Sequence, residues 1–313
     1  MNIVCCTDHN YVMPTGIMIC SVCVNHTNCN VKFHVICNDD VTDEDKTALI
    51  NIACQYHHSI CFYPVNIEVP HSFTINKTEQ PKHITIAAYY RLFLVEILPA
   101  NIDKVLYLDS DVIVRHSLQE MYNTDIHDYA VGAITDCFEG NIEYYNRLRY
   151  SPSLGYFNSG VLLVNLEYWR QNKILQEGID FATMYPERIV YHDQDILNYL
   201  FKNKKKTLSL KFNLQNVHLY KKIMISWEYE TELYEAINDP YIIHYTSSCK
   251  PWKKKCTNPY KNEFLKYKMM TQWKDTPLWK APKITWKLKI KKLFENIGLL
   301  PKTPSPYISV PSL

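Results

Sequence analysis

Two aspartates separated by one serine, Asp109-Ser110-Asp111, sit inside an otherwise apolar run, KVLYLDSDVIV from Lys104 to Val114. Carboxylates this close repel, and one is driven towards protonation unless a cation lies between them. The least costly cation is a divalent metal with oxygen ligands, and such an ion commonly serves a phosphate-bearing substrate. If the run is a strand, Asp109 stands at its C-terminal end and Asp111 in the turn beyond. Open parallel sheets bind ligands at that end of their strands. The plainer use of the same residues is to end the strand and start a turn.

Three further groups have the right types for such a site. His244 ends the apolar stretch YIIHYT, and Lys250 follows six residues later. An imidazole beside two carboxylates moves the preferred ion from Mg²⁺ towards Mn²⁺, and a lysine neutralises phosphate as a point charge. Alone, His244 reads equally well as an ordinary strand-end histidine. Asp193, Gln194 and Asp195 open the helical pattern DQDILNYLF. They fan outward there, so two at most can face one ligand. Carboxylates and amides suit sugar hydroxyls, which need both donors and acceptors, while capping the helix is their structural use. Asn158-Ser159-Gly160 precede a buried strand, where backbone can approach a ligand closely or a glycine can serve a turn.

The elements that must position these residues alternate along the chain. NIVCCT, VKFHVIC and ICFYPV read as buried strands, with helical stretches around Gly16–His26 and in VTDEDKTALINIACQYH between them. ITIAAYYRLFLVEIL reads as a buried helix stopped by Pro99, YAVGAITD as a strand, and GYFNSGVLLVNLEYWR as a strand running into a helix. The alternation predicts an α/β fold on a mostly parallel sheet.

Composition agrees with a globular body: 313 residues, 47% hydrophobic and 21% charged. No apolar run is long enough to span a bilayer, and MNIVCCTDHN lacks the basic start of a secretory signal. A cytoplasmic setting is therefore expected. Most of the eleven cysteines lie in apolar segments, where free thiols act as small hydrophobes. CSVC at Cys20–Cys23 has no second Cys/His pair at zinc-ribbon spacing and is assigned to core packing. The net charge of +2 hides an asymmetry, since residues 250–313 carry fifteen Lys, no Arg and three acidic residues.

In order and spacing, NIVCCTDHNY, YYRLFLVEIL, DKVLYLDSDVIV, GYFNSGVLLVNLEYWR, DQDILNYLF and HYTSSCKPW resemble glycosyltransferase family 8, from Asn2 to about Trp252. That family includes bacterial lipopolysaccharide and lipooligosaccharide α-galactosyl- or glucosyltransferases and glycogenin. The resemblance implies a GT-A fold, a Rossmann-like sandwich, which binds a UDP-sugar with Mn²⁺ (Mg²⁺ being the alternative ion) and transfers the sugar with retention of anomeric configuration. It implies Asp109, Asp111 and His244 as metal ligands and Ser110 near the ribose. Thr7, Asp8 and Asn10 match the nucleotide-binding start of the first strand, and Lys250 the lysine that holds the diphosphate. Arg91, Asn158, Asp193 and Gln194 match residues around the donor sugar, with Asp193, Gln194 and Lys250 the expected catalytic groups. Asp136 and His83 fall in matching blocks. Ser247 stands where the family pattern has glycine; its Cβ crowds the phosphates there or meets a backbone angle that serine tolerates.

Two other functions compete. A haloacid-dehalogenase-like phosphotransferase also carries Asp-x-Asp after a strand, but near its N-terminus and with Thr or Val where Ile113 stands. A non-catalytic sugar-nucleotide-binding protein would tolerate loss of a metal ligand, and the set here is complete. The partners expected are a UDP-hexose, a glycan or glycolipid acceptor and an anionic membrane surface, with no nucleic acid. The division expected is a catalytic domain over 1–252 and a basic extension over 253–313. In the extension, Trp286, Ile290, Leu293, Ile297 and Leu300 form one apolar stripe on a helical projection, flanked by Phe294, with Lys287, Lys291 and Lys292 elsewhere and Leu288 out of place. A basic amphipathic helix of this kind lies in a membrane interface, which points to peripheral attachment at the inner face of the cell membrane.

Overall fold

The protein is described by a computed structural model covering residues 1–65, 86–221, 227–280, 294 and 307–310. Its strands are β1 (Asn2–Thr7), β2 (Lys32–Cys37), β3 (Ser59–Pro64), β4 (Lys104–Leu108), β5 (Val112–Val114), β6 (Val131–Thr135), β7 (Phe157–Asn165), β8 (Lys205–Leu208), β9 (Leu214–Gln215) and β10 (Ile242–His244). A seven-stranded sheet has the order β3-β2-β1-β4-β7-β6-β8, and a three-stranded sheet the order β5-β10-β9. In the larger sheet β7 alone runs against its neighbours β4 and β6; the other pairs are parallel. The sheet is thus mixed but mostly parallel, as the alternating pattern predicts.

Strand sequence explains why both faces are covered. Successive side chains point to opposite faces, and here both sets are apolar. Ile3, Cys5, Leu106, Leu108, Val161 and Leu163 enter one core, while Val4, Val105, Tyr107, Leu162 and Val164 enter the other. Near-continuous apolar strands of this kind are what a sheet covered on both sides requires. Helix Val12–Val24 is buried through most of its length and carries Cys20 and Cys23 as core residues. All eleven cysteines are free thiols, in line with the expected packing role of CSVC.

Two expectations change in detail. The segment before Pro99 is a 3₁₀ helix over Ile86–Phe93 and only then one α-turn, Leu94–Ile97. It packs against β1 and against helices Ile174–Met184 and His192–Phe201, so its neighbours, not a 3.6-residue apolar stripe, set its winding. KVLYLDSDVIV is not one strand. The chain leaves the large sheet at Leu108, crosses through Asp109-Ser110-Asp111, and enters the small sheet at Val112.

The extension is only partly separate from the body. Helix Lys261–Lys268 buries Phe264 and Tyr267, Phe264 meets Trp252 at 5.6 Å between centroids, and Tyr267 accepts a hydrogen bond from Asn25. Tyr307 returns to pack its ring at a tilt against Tyr220, 5.0 Å between centroids. Apart from Phe294, the predicted amphipathic stripe lies outside the described residues, as does His83. Among the described residues no helix is long and apolar enough to cross a membrane.

Candidate active site

The strand switch at Asp109–Asp111 builds the site. The Asp109 amide donates to the Gly160 carbonyl at 2.8 Å, continuing the β4/β7 ladder. Antiparallel pairing of β5 with β10 sets His244 opposite Val112, and the Tyr245 amide donates to the Asp111 carbonyl at 3.0 Å. One ladder therefore places the first aspartate and the other places the histidine beside the second. Asp109, Asp111 and His244 each offer a ligand atom, all within 4.8 Å of one another. His244 Nε2 lies 3.2 Å from Asp111 and 3.7 Å from Asp109. Two carboxylates and one imidazole nitrogen, converging from two sheets, fit a divalent metal ion.

Gly160 completes the fit. A Cβ on it would come 2.5 Å from Asp109 Oδ2 and closer still to His244 Cε1. Gly160 lies within β7, not ahead of it, and serves close approach, not a turn.

The negative charge is balanced by two cations. Lys250 Nζ pairs with Asp111 and also donates to the Tyr245 carbonyl at 2.6 Å. Burial would raise the Asp111 pKa, but Lys250 and His244 together hold it well below the usual carboxylate range. Arg91, 5% exposed, reaches Asp109 through Nη2 and Asp193 through Nε, both at 2.9 Å. Its guanidinium lies 4.4 Å from the centroid of the Tyr107 ring, whose hydroxyl donates to Asp109 at 3.0 Å. Burial pushes Asp193 up to about 6, with Arg91 opposing the rise and Asp109 adding to it.

The start of helix His192–Phe201 divides its acidic residues by role. Asp195, fully buried, accepts from Arg147, from Tyr156 Oη at 2.8 Å, and from the amides of Val190 and Tyr191 at 2.7 and 2.6 Å. It closes the helix start. Asp193 and Gln194 face the cavity, and His192 before them adopts a left-handed backbone, φ 50°. Asn198 anchors this helix by exchanging hydrogen bonds with both backbone groups of Phe157, each at 2.8 Å. Gln194 Oε1 accepts from the Ser159 amide at 3.0 Å and its Nε2 donates to Asp136 at 3.3 Å. Burial raises the Asp136 pKa against hydrogen bonds from the Phe138 amide, Asn158 and Gln194.

Thirteen of the residues singled out from sequence as metal-, nucleotide- or sugar-binding line one cavity of about 590 Å³: Thr7, Asp8, Arg91, Asp109, Ser110, Asp111, Asp136, Asn158, Asp193, Gln194, His244, Ser247 and Lys250. Asn10 is not among them; it is exposed on the 3₁₀ turn His9–Tyr11 after β1. The Asp8 carboxylate caps that turn by accepting from the Tyr11 amide at 3.0 Å. The Ser110 hydroxyl is committed to the Cys6 carbonyl at 2.8 Å, which ties the strand switch to β1. Ser247 is not in the left-handed region, and its hydroxyl accepts from Asn216 at 2.6 Å and from the Cys249 amide at 3.1 Å. Serine there holds the lysine-bearing loop to Asn216, which also donates to Tyr307 at 3.0 Å.

Sequence reasoning missed Asn213, Gln215 and Asn198, all fully buried amides. Gln215 donates to the Thr135 carbonyl at 2.9 Å and accepts from the Cys137 amide at 3.0 Å, tying β9 to β6. No spacing marks such residues, because each acts on backbone or on another polar side chain brought near only by the fold.

The family described as Glycosyl transferase family 8 matches residues 2–256. A putative glycosyltransferase of Haemophilus influenzae is 31% identical over 263 residues, covering 82% of this chain and 74% of that protein. A lipopolysaccharide 1,3-galactosyltransferase of Salmonella typhimurium is 28% identical over 275 residues, 85% of this chain and 77% of that protein. The fold is similar to that of the galactosyltransferase LgtC, solved with donor and acceptor sugar analogues. That match has a TM-score of 0.77 at 29% identity, covering 93% of this chain and 100% of the other.

Proposed function

The chain belongs to glycosyltransferase family 8, and on that premise we propose that it moves galactose or glucose from a UDP-sugar to a glycan acceptor with Mn²⁺ as the metal. The observation that carries this reading is the convergence of Asp109, Asp111 and His244 with Lys250 at one cavity that the end of β1 also reaches through Thr7, with Asp8 just beyond it. The imidazole in the donor set favours Mn²⁺ over Mg²⁺. When bound, the ion supplies positive charge where the sugar–phosphate bond breaks and the diphosphate gains negative charge. Lys250 adds a second positive charge already in place, which is worth more in the transition state than in the ground state.

The residues across the cavity serve the sugar. Asp136, Asn158, Asp193 and Gln194 present donors and acceptors to hydroxyls. The sugar passes through an oxocarbenium-like state, and a carboxylate or amide near its face lowers the energy of that state. Asp193 and Gln194 supply those groups. Gln194 is a poor nucleophile, and the departing phosphate can itself take the proton of the acceptor hydroxyl.

A lipopolysaccharide or another surface glycolipid is the acceptor we assign, in keeping with relatives named as lipopolysaccharide galactosyl- and glucosyltransferases. The fifteen lysines of residues 250–313 fit that assignment, since each lysine near an anionic leaflet is worth about 1 kcal/mol. In this reading residues 1–252 are the catalytic domain and the extension holds it peripherally at the cytoplasmic leaflet. Screening UDP-sugars for Mn²⁺-dependent UDP release tests the activity and names the donor. Release from neither UDP-galactose nor UDP-glucose, with or without a glycan acceptor, would overturn it.

A further inference from the structure

Behind His244 lies a buried amide, Asn213, that the catalytic reading does not use. The Asn213 side chain, fully buried, places Oδ1 2.9 Å from His244 Nδ1, and its Nδ2 donates to Asn158 Oδ1 at 3.0 Å. Asn158 Oδ1 also accepts from the Gly160 amide at 3.0 Å, while its Nδ2 faces Asp136 and Gln194 Oε1, each at 3.2 Å.

The direction of this series of hydrogen bonds cannot be reversed. A backbone N–H only donates, so the Asn158 atom facing Gly160 must be the oxygen. Asn213 must then offer its NH₂ to that same oxygen, which turns the Asn213 oxygen towards His244. An oxygen there requires a proton on Nδ1. With that site filled, the neutral ring carries its lone pair on Nε2, the nitrogen that faces Asp109 and Asp111. The polarity of the Gly160 amide thus reaches the histidine through two side chains.

We propose that Asn213 is a positioning residue that fixes the tautomer of His244 for metal binding and links it to Asn158 beside the sugar-facing residues. This rests on the assignment of His244 as a metal ligand. Groups that accept the second ring N–H of a metal-bound histidine typically change metal affinity by about 10–100-fold when removed. Asn213 does so while also holding Asn158, so one amide aligns both halves of the cavity.

Two variants separate the halves. Asn213→Leu removes both hydrogen bonds at similar volume, whereas Asn213→Asp keeps the acceptor for Nδ1 but faces Asn158 Oδ1 with a second oxygen. Mn²⁺ affinity is read on the full chain by electron paramagnetic resonance, without donor sugar. The His244 Nδ1–H resonance is read by NMR in metal-free protein. We expect Asn213→Leu to bind Mn²⁺ about 10–100-fold more weakly and to lose the protected Nδ1–H signal. Asn213→Asp should keep both but lower kcat for UDP release, because Asn158 and Gln194 are no longer aligned. Unchanged Mn²⁺ affinity in a folded Asn213→Leu, or equal loss of affinity in both variants, would overturn the proposal. Should Asn213→Leu not fold, Asn213→Asp decides by keeping or losing Mn²⁺ binding. Neither readout needs sugar transfer. A wild-type protein that shows the Nδ1–H signal yet releases no UDP would count against the proposed function and not against this inference.

Discussion

The backbone of Gly160 lies directly against the imidazole of His244, with no room for a single carbon between them. That contact joins β7 to β10 across the seam of the two sheets and sets how closely the three ligand groups gather. Gly160→Ala must push Asp109 or His244 away. Overpacking of this kind costs about 1–3 kcal/mol, so the variant should still fold. Its Mn²⁺-dependent UDP release should fall by about 10–100-fold, with the loss partly relieved at high Mn²⁺. Normal turnover at low Mn²⁺ would show that the site does not need this spacing.

The neighbouring aspartates of helix His192–Phe201 should separate cleanly into activity and stability. Asp195→Asn breaks a buried ion pair with Arg147, and losing one partner of such a pair costs about 3 kcal/mol or more. Asp193→Asn also takes a charged partner from buried Arg91, but Arg91 keeps Asp109 at 2.9 Å, so this variant should lose less stability and chiefly lower turnover. Urea unfolding and UDP release measured on both variants check the division, which fails if the two losses coincide.

Acid should weaken the fold through His218. The ring is 1% exposed; Nδ1 accepts from the Gln215 amide, and Nε2 has no partner among the described residues. Burial lowers its pKa from 6.5 to about 3. The folded state therefore binds fewer protons than the unfolded chain between those values. Stability is full above pH 6.5 and is lost as pH falls towards 3. At pH 5 the loss from this group is about 2 kcal/mol. His218→Gln should have a flatter stability profile between pH 7 and 5; an identical slope would remove His218 as the cause.

The basic extension should divide at about Lys280, because Trp279 and Trp252 meet at 5.8 Å and the segment up to that point packs on the body. Replacing the lysines between 283 and 292 by glutamine leaves Tyr307 in place on Tyr220 and is expected to leave UDP release from soluble donor largely intact. It should abolish sedimentation with anionic vesicles and slow transfer to a membrane-embedded acceptor. Continued sedimentation at physiological salt would place membrane attachment elsewhere.

The site was legible where chemistry depends on residue type. Asp109, Asp111, His244 and Lys250 stand out because charged groups are costly at the ends of apolar strands unless they have a use. Most of the large sheet was legible because its strands are apolar; the edge strand β8, KKTL, was not, since two of its four residues are lysines. The small sheet was legible only at β10, which lies in the apolar stretch YIIHYT with His244 at its end; β5 has three residues and β9 two, too short to show a period. The strand end at Asp109 was legible, but not that Val112–Val114, as strand-like as Lys104–Leu108, joins a second sheet; only pairing with β10 reveals that. Asn213 was invisible for a third reason. An asparagine in KFNLQN reads as a turn residue, and its role exists only once β9 lies beside β10.

If Asp109, Asp111 and His244 hold the metal on which sugar transfer depends, Asp111→Asn should remove most of the activity. The substitution keeps size and removes one charged ligand, leaving Lys250 without its partner. UDP release from UDP-galactose and UDP-glucose should be measured for wild type and variant after EDTA treatment, then with Mn²⁺ restored in steps. Wild type should release no UDP until Mn²⁺ returns. The variant should be slower by at least about 100-fold, and excess Mn²⁺ should rescue it only in part. A variant that turns over like the wild type, or a wild type indifferent to EDTA, would contradict the metal assignment.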